Sequence, residues 1–480
     1  MALRRIVYRP PAVSSDGPGA ALTAAFEAIR AKLEVPEEFP ADVLAEADVA
    51  LREPRLPTRD ETSVPFVTID PPGAMDLDQA MFLERRGDGY RVRYAIADVP
   101  AFVAVGGALD QEARRRGQTI YCPDRRVPLH PPVLSEDGAS LLPDQVRPAF
   151  VWDMVLAEDG TGTDVDVYRA LVKSHQRLDY AAVQRALDDG TAGEPLRLLK
   201  EIGEKRIALE RERGGASLPL PEQEVTEDED GGFSVSFRPL APVEDWNAQI
   251  SLMTGMAAAE MMIHGQVGLL RTMPPPEHHD VQRFHRMATA LGVAWPAEML
   301  YGEFLRTLDR ANPKHLALIH EAATLFRGAG YMPFEGDVPE QPEHAAVANP
   351  YAHVTAPLRR LVDRFGLVIC EALSTGTDVP VWVRQALPHL PQIMAASESR
   401  ASAVERACTD AVEAAELVGL RGSTLDAVVV DDNDKTVAVQ LLDFAVVTRA
   451  SGTAEPGDSV KVRVDDADIE TGTIALSLVQ

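Results

Sequence analysis

The chain has few cysteines and no long apolar run. Its three cysteines, Cys122, Cys370 and Cys408, are widely spaced and form no C-x-x-C pair. They are expected to be reduced structural thiols, and a disulfide-stapled secreted fold is excluded. The longest apolar candidate, residues 255–270, is interrupted by charged and polar residues and is too short to cross a bilayer. The first residues also lack a signal-type apolar segment, so a cytoplasmic protein without membrane contact is expected.

Positive charge is scarce as well. Lys and Arg number 47 against 74 Asp and Glu, which gives a formal net charge of −27. Nucleic-acid binding draws mainly on cations that neutralise phosphates, so this balance disfavours a general polyanion binder. It favours solubility or small cationic partners. A protein that threads one strand into a channel needs only a local basic lining, however, and RNA binding is therefore not excluded.

Hydrophobic periodicity divides the chain into three regions. Residues 1–60 contain two stretches with helical spacing, which predict a short helical N-terminal region, with a helix-turn-helix as one alternative. In residues 61–412, strand patterns precede helical ones, as in an α+β domain. The predicted strands are 64–70, 89–99 and 150–160, and the predicted helices are 22–33, 40–51, 180–187, 196–213, 246–270, 357–373 and 396–417.

The third region, residues 413–480, has a different pattern. Five short alternating stretches are separated by turn residues such as DDND and EPGD. Such a series predicts a small closed β-barrel of the OB type, which commonly binds RNA. A small barrel that serves only packing would show the same pattern.

An acidic motif, Asp70-Pro-Pro-Gly-Ala-Met-Asp76-Leu-Asp78-Gln79, follows the first predicted strand of the second region. Carboxylate oxygens suit Mg²⁺ or Mn²⁺, and such an ion can activate water for displacement at phosphorus. The alternative is an acidic loop whose aspartates cap turns, which is the more frequent role of such residues. The spacing of the aspartates alone favours the acidic loop over the metal site.

The wider context of this motif changes that balance. VPFVTIDPPGAMDLDQA, YAIADVPAFV, LDQEARRRGQTIYCPDRRVPLHPPVLS and YAHVTAPLRRLVDRF occur in this order along the chain. Together they strongly resemble the catalytic RNB domain of the ribonuclease II family, over roughly residues 55–410. The C-terminal barrel also occupies the place where that family carries an OB-type RNA-binding domain. The resemblance implies an RNB-type catalytic domain at 61–412 and an OB-like RNA-binding barrel at 413–480.

The resemblance also implies a chemical role for the acidic residues. Asp70, Asp76 and Asp78 match the family's metal-site aspartates, and Asp76 and Asp78 are expected to be catalytic. The family has a fourth aspartate where this chain has Gln79. A neutral amide is a weaker ligand for Mg²⁺ than a carboxylate. A loosely held metal would predict that Gln79→Asp lowers the Mg²⁺ concentration needed for cleavage.

Further residues match family positions that contact RNA or the scissile phosphate. Arg359 matches an arginine at the phosphate, with Arg360 beside it, and Glu405 resembles a catalytic glutamate from a closing helix. The alternative for Arg359 is an ion pair with Asp363 on an exposed helix face. The aromatic residues Tyr121 and Tyr180 match a base-stacking position and a position near the terminal ribose. Their alternatives are a half-buried strand residue and a packing residue at a helix start.

Six arginines lie close to Tyr121 in the sequence. They predict a local basic lining for an RNA channel, although the net charge of the whole chain is negative. Arg116 and Arg125 are the RNA-binding candidates among them. A solvated helix end is the alternative for the three consecutive arginines at 114–116. The six are Arg114, Arg115, Arg116, Arg125, Arg126 and Arg147.

The resemblance implies hydrolytic 3′→5′ degradation of RNA to nucleoside 5′-monophosphates, with Mg²⁺, or Mn²⁺ in its place. The expected partner is single-stranded RNA, including RNA with structured regions, and no obligate protein partner is implied. About sixty residues precede the first catalytic strand, too few for the two cold-shock barrels usual in relatives, so an open RNA entrance is expected. Two alternatives are a catalytically weak RNA-binding protein and a metal-dependent phosphohydrolase of small nucleotides.

Overall fold

The chain contains two closed five-stranded β-barrels joined by a mainly helical region. The structure is a computed structural model that describes residues 3–6, 18–216, 222–227, 233–238, 240–296, 298–433 and 435–479. The elements up to the end of the first barrel are β1 (Leu3–Ile6), α1 (Pro18–Lys32), α2 (Ala41–Arg52), β2 (Phe66–Asp70), β3 (Gln79–Arg86), β4 (Gly89–Ala97), α3 (Ala108–Arg116), β5 (Ile120–Tyr121), β6 (Arg126–Val127), β7 (Val146–Leu156) and β8 (Gly162–Asp179).

Helices predominate after the first barrel. The elements from there to the second barrel are α4 (Tyr180–Asp188), α5 (Glu194–Glu212), β9 (Glu222–Glu227), β10 (Phe233–Arg238), α6 (Pro242–His264), β11 (Val267–Thr272), α7 (His278–Ala290), α8 (Tyr301–Arg306), α9 (Pro313–Ala322), β12 (Gly330–Glu335), β13 (Glu343–His344), β14 (Asn349–Pro350), α10 (Leu361–Thr375), α11 (Val381–Ala386) and α12 (Leu390–Val418). The second barrel consists of β15 (Thr424–Asp432), β16 (Thr436–Leu441), β17 (Val447–Ser451), β18 (Ser459–Asp468) and β19 (Thr473–Leu478).

The first barrel has the strand order β2-β3-β4-β7-β8 and is closed by the parallel pairing of β2 with β8. In the second half of β4, residues 94–97, both faces of the strand are buried. In β4, Tyr94 and Ile96 belong to one core, and the intervening Ala95 and Ala97 belong to another. Burial on both faces explains why residues 94–97 are all apolar, whereas the first half of β4 alternates with the partly exposed Arg91 and Arg93. The α+β prediction is confirmed.

Two predicted helix boundaries are wrong, one because of a local turn and the other because of a distant hydrogen bond. The helix predicted at 246–270 ends at His264, because the chain turns at Gln266, whose φ is +53°, and continues as strand β11. The helix predicted at 357–373 begins only at Leu361. The preceding backbone N–H of Leu358 donates to Asp78 Oδ1 at 2.7 Å, which holds that segment out of the helix.

The N-terminal segment and the C-terminal barrel agree with their predicted patterns. Helices α1 and α2 occupy the two predicted stretches, while β1, which was not predicted, pairs with β9. Residues 1–2 and 7–17 of the predicted N-terminal region lie outside the described residues. The five C-terminal strands close in the order β15-β16-β17-β19-β18. Within the described ranges, none of the helices has the length and apolarity needed to traverse a bilayer.

Candidate active site

One cavity of about 600 Å³ lies at the end of β2 and brings together residues that are distant in sequence. It is bounded by the loop between β2 and β3, the β5–β6 hairpin, the segment before α10, and helix α12. Eight of the ten predicted site residues line it. They are Asp70, Asp76, Asp78, Tyr121, Tyr180, Arg359, Arg360 and Glu405.

The aspartates of the acidic loop lie in an environment that disfavours their negative charge. Burial, and then the neighbouring Asp76, raise the pKa of Asp70 to about 7. Burial also raises the pKa of Asp78 well above its usual value, although Arg359 opposes the shift. Asp78 is 3% exposed, and Asp70 Oδ2 is buried without a hydrogen bond from any residue in the described ranges. The protein therefore solvates the ionised form of these two carboxylates poorly, and a cation in the pocket would favour that form.

Two arginines from different parts of the chain face the acidic loop. Arg126, on β6, forms an ion pair with Asp76 and another with Glu136 at 2.8 Å. The Nε atom of Arg359 lies 3.6 Å from Asp78 Oδ2, and about half of this side chain (49%) is exposed. Arg359 can therefore contact Asp78 and still present its guanidinium to an anion in the cavity.

The alternative interpretation of Arg359, an ion pair with Asp363 on an exposed helix face, is wrong. Arg360 makes it instead, with its Nε and Nη2 atoms 2.5 and 2.8 Å from the Asp363 carboxylate oxygens. The helix face is also buried, since Asp363 is 0% exposed. Arg360 is the residue before the first turn of α10, and its pairing with Asp363 leaves Arg359 as the arginine directed toward the acidic loop.

The pocket has the ligand chemistry that a hard divalent cation requires. Carboxylate oxygens are the preferred protein ligands of Mg²⁺, and the buried Oδ2 of Asp70, which accepts no hydrogen bond from the described part of the chain, is an oxygen of that type. Within the described residues, however, no three His, Cys, Asp or Glu side chains converge to hold a metal on their own. An ion here would use Asp70 and Asp78 together with water or substrate oxygens, as Mg²⁺ commonly does.

The two predicted tyrosines lie on different walls of the cavity. Tyr121 is on β5, directly across the hairpin from Arg126. Tyr180 is the first residue of α4, and Asn247 Nδ2 donates to its hydroxyl oxygen at 3.1 Å. Glu405 reaches the cavity from α12. The two rings are therefore fixed on rigid elements that face the acidic loop.

The predicted basic lining is mostly wrong. Arg116 is 2% exposed, pairs with Glu112 at 2.7 Å, and stacks 3.6 Å above the ring of Phe39. It is buried in the protein interior and cannot contact RNA there. Arg125 is partly exposed but lies outside the cavity and pairs with Glu37 at 2.9 Å. Of the six clustered arginines, Arg126 alone is among the cavity residues in the described chain.

The others of that cluster are held by local acids. Arg114 pairs with Asp110 at 3.1 Å, Arg115 with Glu112 at 2.6 Å, and Arg147 with Asp137 at 3.0 Å. Sequence proximity to Tyr121 therefore did not place these side chains in the cavity, because nearby acids hold each of them elsewhere. The strand pairing of Arg126 with Tyr121, which was not predicted, is what separates it from the other five arginines.

The second barrel has little of what RNA binding usually requires. Residues 423–479 contain eleven Asp and Glu against four Lys and Arg, and Phe444 is the single aromatic. Three of the four cations form ion pairs: Lys461 with Asp426 at 2.7 Å, Arg463 with Asp465 at 2.8 Å, and Arg449 with Asp431 at 3.9 Å. The second barrel therefore offers RNA few unpaired cations and one aromatic side chain.

A five-stranded barrel whose acidic loop faces a half-exposed arginine, followed by an OB-type barrel, is the arrangement of the RNB class. Residues 58–372 match the RNB domain, and residues 423–479 match the RNase II-type exonuclease C-terminal S1 domain. The chain therefore belongs to the RNB-domain family.

Particular relatives are consistent with this assignment. Ribonuclease R of Escherichia coli is 29% identical over 357 residues, which cover 69% of this chain and 40% of that protein. RNase R of Mycoplasma genitalium, solved in complex with ribose-methylated single-stranded RNA, has a TM-score of 0.85 at 18% identity, over 96% of this chain and 78% of that one. Yeast Ssd1, described as a pseudonuclease, has a TM-score of 0.69 at 15% identity, over 92% and 57%. The chain spans half or less of the curated ribonuclease R proteins it matches.

Proposed function

We propose that this protein is a hydrolytic 3′→5′ exoribonuclease that releases nucleoside 5′-monophosphates in a reaction that requires Mg²⁺. The observation that carries the proposal is the meeting of Asp70 and Asp78 with Arg359 in one cavity, between two tyrosines on separate walls. Family membership and the similarity to ribonuclease R support the same reaction.

The substrate-binding role of the chain's own residues follows from their chemistry. Arg359 would bind the scissile phosphate and stabilise the charge that gathers on its oxygens during displacement. Tyr121 would stack on a base near the 3′ end, which is worth about 1–3 kcal/mol and tolerates any sequence. Tyr180 would lie beside the terminal ribose, where a contact with the 2′-hydroxyl separates RNA from DNA.

The acidic residues would supply the hydrolytic part of the site. Asp70 and Asp78 would hold the Mg²⁺ ion. Asp76 would add a third carboxylate beside them, held in place by its ion pair with Arg126. When bound, the ion would activate water and polarise the phosphodiester. Asp78 also accepts the Leu358 N–H, so the residue that would bind metal also helps to position the segment that carries Arg359.

Incubation of the purified protein with a 5′-labelled single-stranded RNA oligonucleotide and Mg²⁺ tests the proposal. We expect a ladder that shortens from the 3′ end, nucleoside 5′-monophosphates as the released product, and no ladder from DNA of the same sequence. Asp78→Asn serves as the matched inactive variant. A gel shift without cleavage would instead indicate an RNA-binding protein.

The RNA-binding alternative is favoured by two specific observations. The described residues contain no three-ligand metal cluster, and the same fold occurs in a pseudonuclease. Cleavage restricted to dinucleotides or nucleotides would favour the third function, a phosphohydrolase of small nucleotides, which suits the acidic surface.

A further inference from the structure

The segment Thr355–Arg360, here called the arginine loop, is held in place by hydrogen bonds from three directions. It carries Arg359 into the cavity, and it is not itself helical. Its contacts with other elements are Leu358 N to Asp78 Oδ1 at 2.7 Å, Ala356 N to Asp363 Oδ1 at 2.7 Å, Thr119 N to Arg359 O at 2.9 Å, and the side chain of Gln79 to Thr355 O. The position of the Arg359 guanidinium therefore depends on these anchors.

Gln79 contributes the anchor at the start of the loop. It is the first residue of β3, and its Nε2 atom donates to the carbonyl oxygen of Thr355. Thr355 is 6% exposed, so its carbonyl has little access to water as an alternative partner. Asp78 and Gln79, adjacent in the acidic loop, thus bind the arginine loop at two points, one as an acceptor and the other as a donor.

An acidic side chain at position 79 could not make this contact. An ionised carboxylate has no proton to donate and would place its oxygens against the Thr355 carbonyl oxygen. Aspartate is also one methylene shorter than glutamine. A substitution that adds a carboxylate to the metal site would therefore remove a buried hydrogen bond from the arginine loop.

We propose that Gln79 is a positioning residue that fixes the arginine loop, and through it Arg359, and that it is not a weakened metal ligand. The inference rests on the proposed exonuclease function for its catalytic consequence, although its structural part does not. It reverses the expectation from the sequence: Gln79→Asp should impair the site instead of improving its use of Mg²⁺.

The structural part can be tested without RNA or metal. Hydrogen exchange measured by mass spectrometry, in chelator, compares the parent with Gln79→Glu and the uncharged Gln79→Met. We expect the amides of Ala356 and Leu358 to exchange about 5- to 100-fold faster in both variants, the range expected for loss of one buried hydrogen bond. Gln111→Glu is the matched control, because the Gln111 amide donates to a backbone carbonyl, that of Gly106, at an exposed position outside the cavity. It should leave these amides unchanged.

Unchanged exchange of the loop amides in folded Gln79→Met would overturn the inference. Thermal melting of each variant shows whether it is folded, and Gln79→Met decides the question if the charged variant does not fold. This outcome is independent of the proposed function, since a parent protein that cleaves no RNA would still give the exchange result.

Steady-state kinetics of Gln79→Asp test the catalytic part. We expect kcat to fall about tenfold or more, with KM for a long oligonucleotide changed less than about threefold, because Arg359 acts at the scissile phosphate while other contacts hold the strand. The Mg²⁺ concentration for half-maximal rate should not decrease. A higher kcat together with a lower Mg²⁺ requirement would show that position 79 is a metal ligand and would refute the proposal.

Discussion

Replacement of Asp70 by Asn should stabilise the protein in chelator and abolish its stabilisation by Mg²⁺. The Asp70 side chain is partly exposed to the cavity and lies near Asp76, and its buried Oδ2 atom accepts no hydrogen bond from the described residues. An unsatisfied buried polar or charged group costs about 1–3 kcal/mol. Asn removes the charge at nearly the same volume, so we expect the free energy of unfolding to rise by about 1–2 kcal/mol at pH 8 in chelator.

The pH dependence gives this prediction a definite sign. The folded-state pKa of Asp70 is about 7, above the ordinary aspartate value, because of burial and then Asp76. The folded protein therefore binds the proton more tightly than the unfolded chain, and the carboxyl lowers stability as pH rises from about 4 to about 7. The advantage of Asp70→Asn should be present at pH 8 and absent near pH 4.

Mg²⁺ provides the second half of the assay. A ligand at ten times its Kd stabilises the folded state by about 1.4 kcal/mol, and at one hundred times by about 2.7 kcal/mol. Urea unfolding with and without Mg²⁺ should show this gain in the parent and lose most of it in Asp70→Asn. Equal stabilisation of both proteins by Mg²⁺ would show that Asp70 is not a ligand and would refute the reasoning.

Three other predictions concern different parts of the molecule. Asp78→Asn should abolish cleavage while RNA affinity in a binding assay stays within about threefold, because affinity depends on the arginines and on stacking. A variant that cleaves at half the parent rate would contradict the assignment of Asp78 to the catalytic site. Tyr121→Ala should weaken RNA binding in chelator about 5- to 100-fold by fluorescence anisotropy, since it removes a stacking contact worth about 1–3 kcal/mol. Arg125→Ala should have less than a twofold effect, because Arg125 lies outside the cavity and pairs with Glu37, and equal effects would contradict the assignment. Lys461→Ala with Arg463→Ala should leave the slope of log affinity against log salt unchanged, because both cations are already paired with acids; a slope reduced by nearly one per residue would show phosphate contacts on the second barrel.

The sequence predicted the elements whose pattern is set locally and missed those set by distant contacts. Helix α1 and strand β4 follow from periodicity, which depends only on which face is buried. The start of α10 does not, because Asp78, about 280 residues earlier, captures the backbone N–H of Leu358. A local pattern carries no information on such a partner.

The candidate site divides in the same way. Asp70, Asp78 and Arg359 were identified from matching motifs, and the structure places them in one cavity. Arg116 was misjudged because its partner Glu112 and its stacking on Phe39 bury it. Charge in the sequence indicates the number of cations, whereas the acids around each one determine whether it can bind a phosphate.

Helix α12 runs without interruption from the cavity to the second barrel and fixes the distance between them. The helix has 29 residues, so it is about 44 Å long, and its side chains Ala401, Ser402 and Glu405 line the cavity. Twelve residues further on, Leu417 is buried in the core of the barrel. An insertion of one residue between Glu405 and Leu417 would rotate the two ends relative to each other by about 100° and translate them by about 1.5 Å. The helix thus fixes both the distance and the relative rotation of the cavity and the barrel. We expect insertions or deletions between them to be tolerated only where they preserve the helical phase.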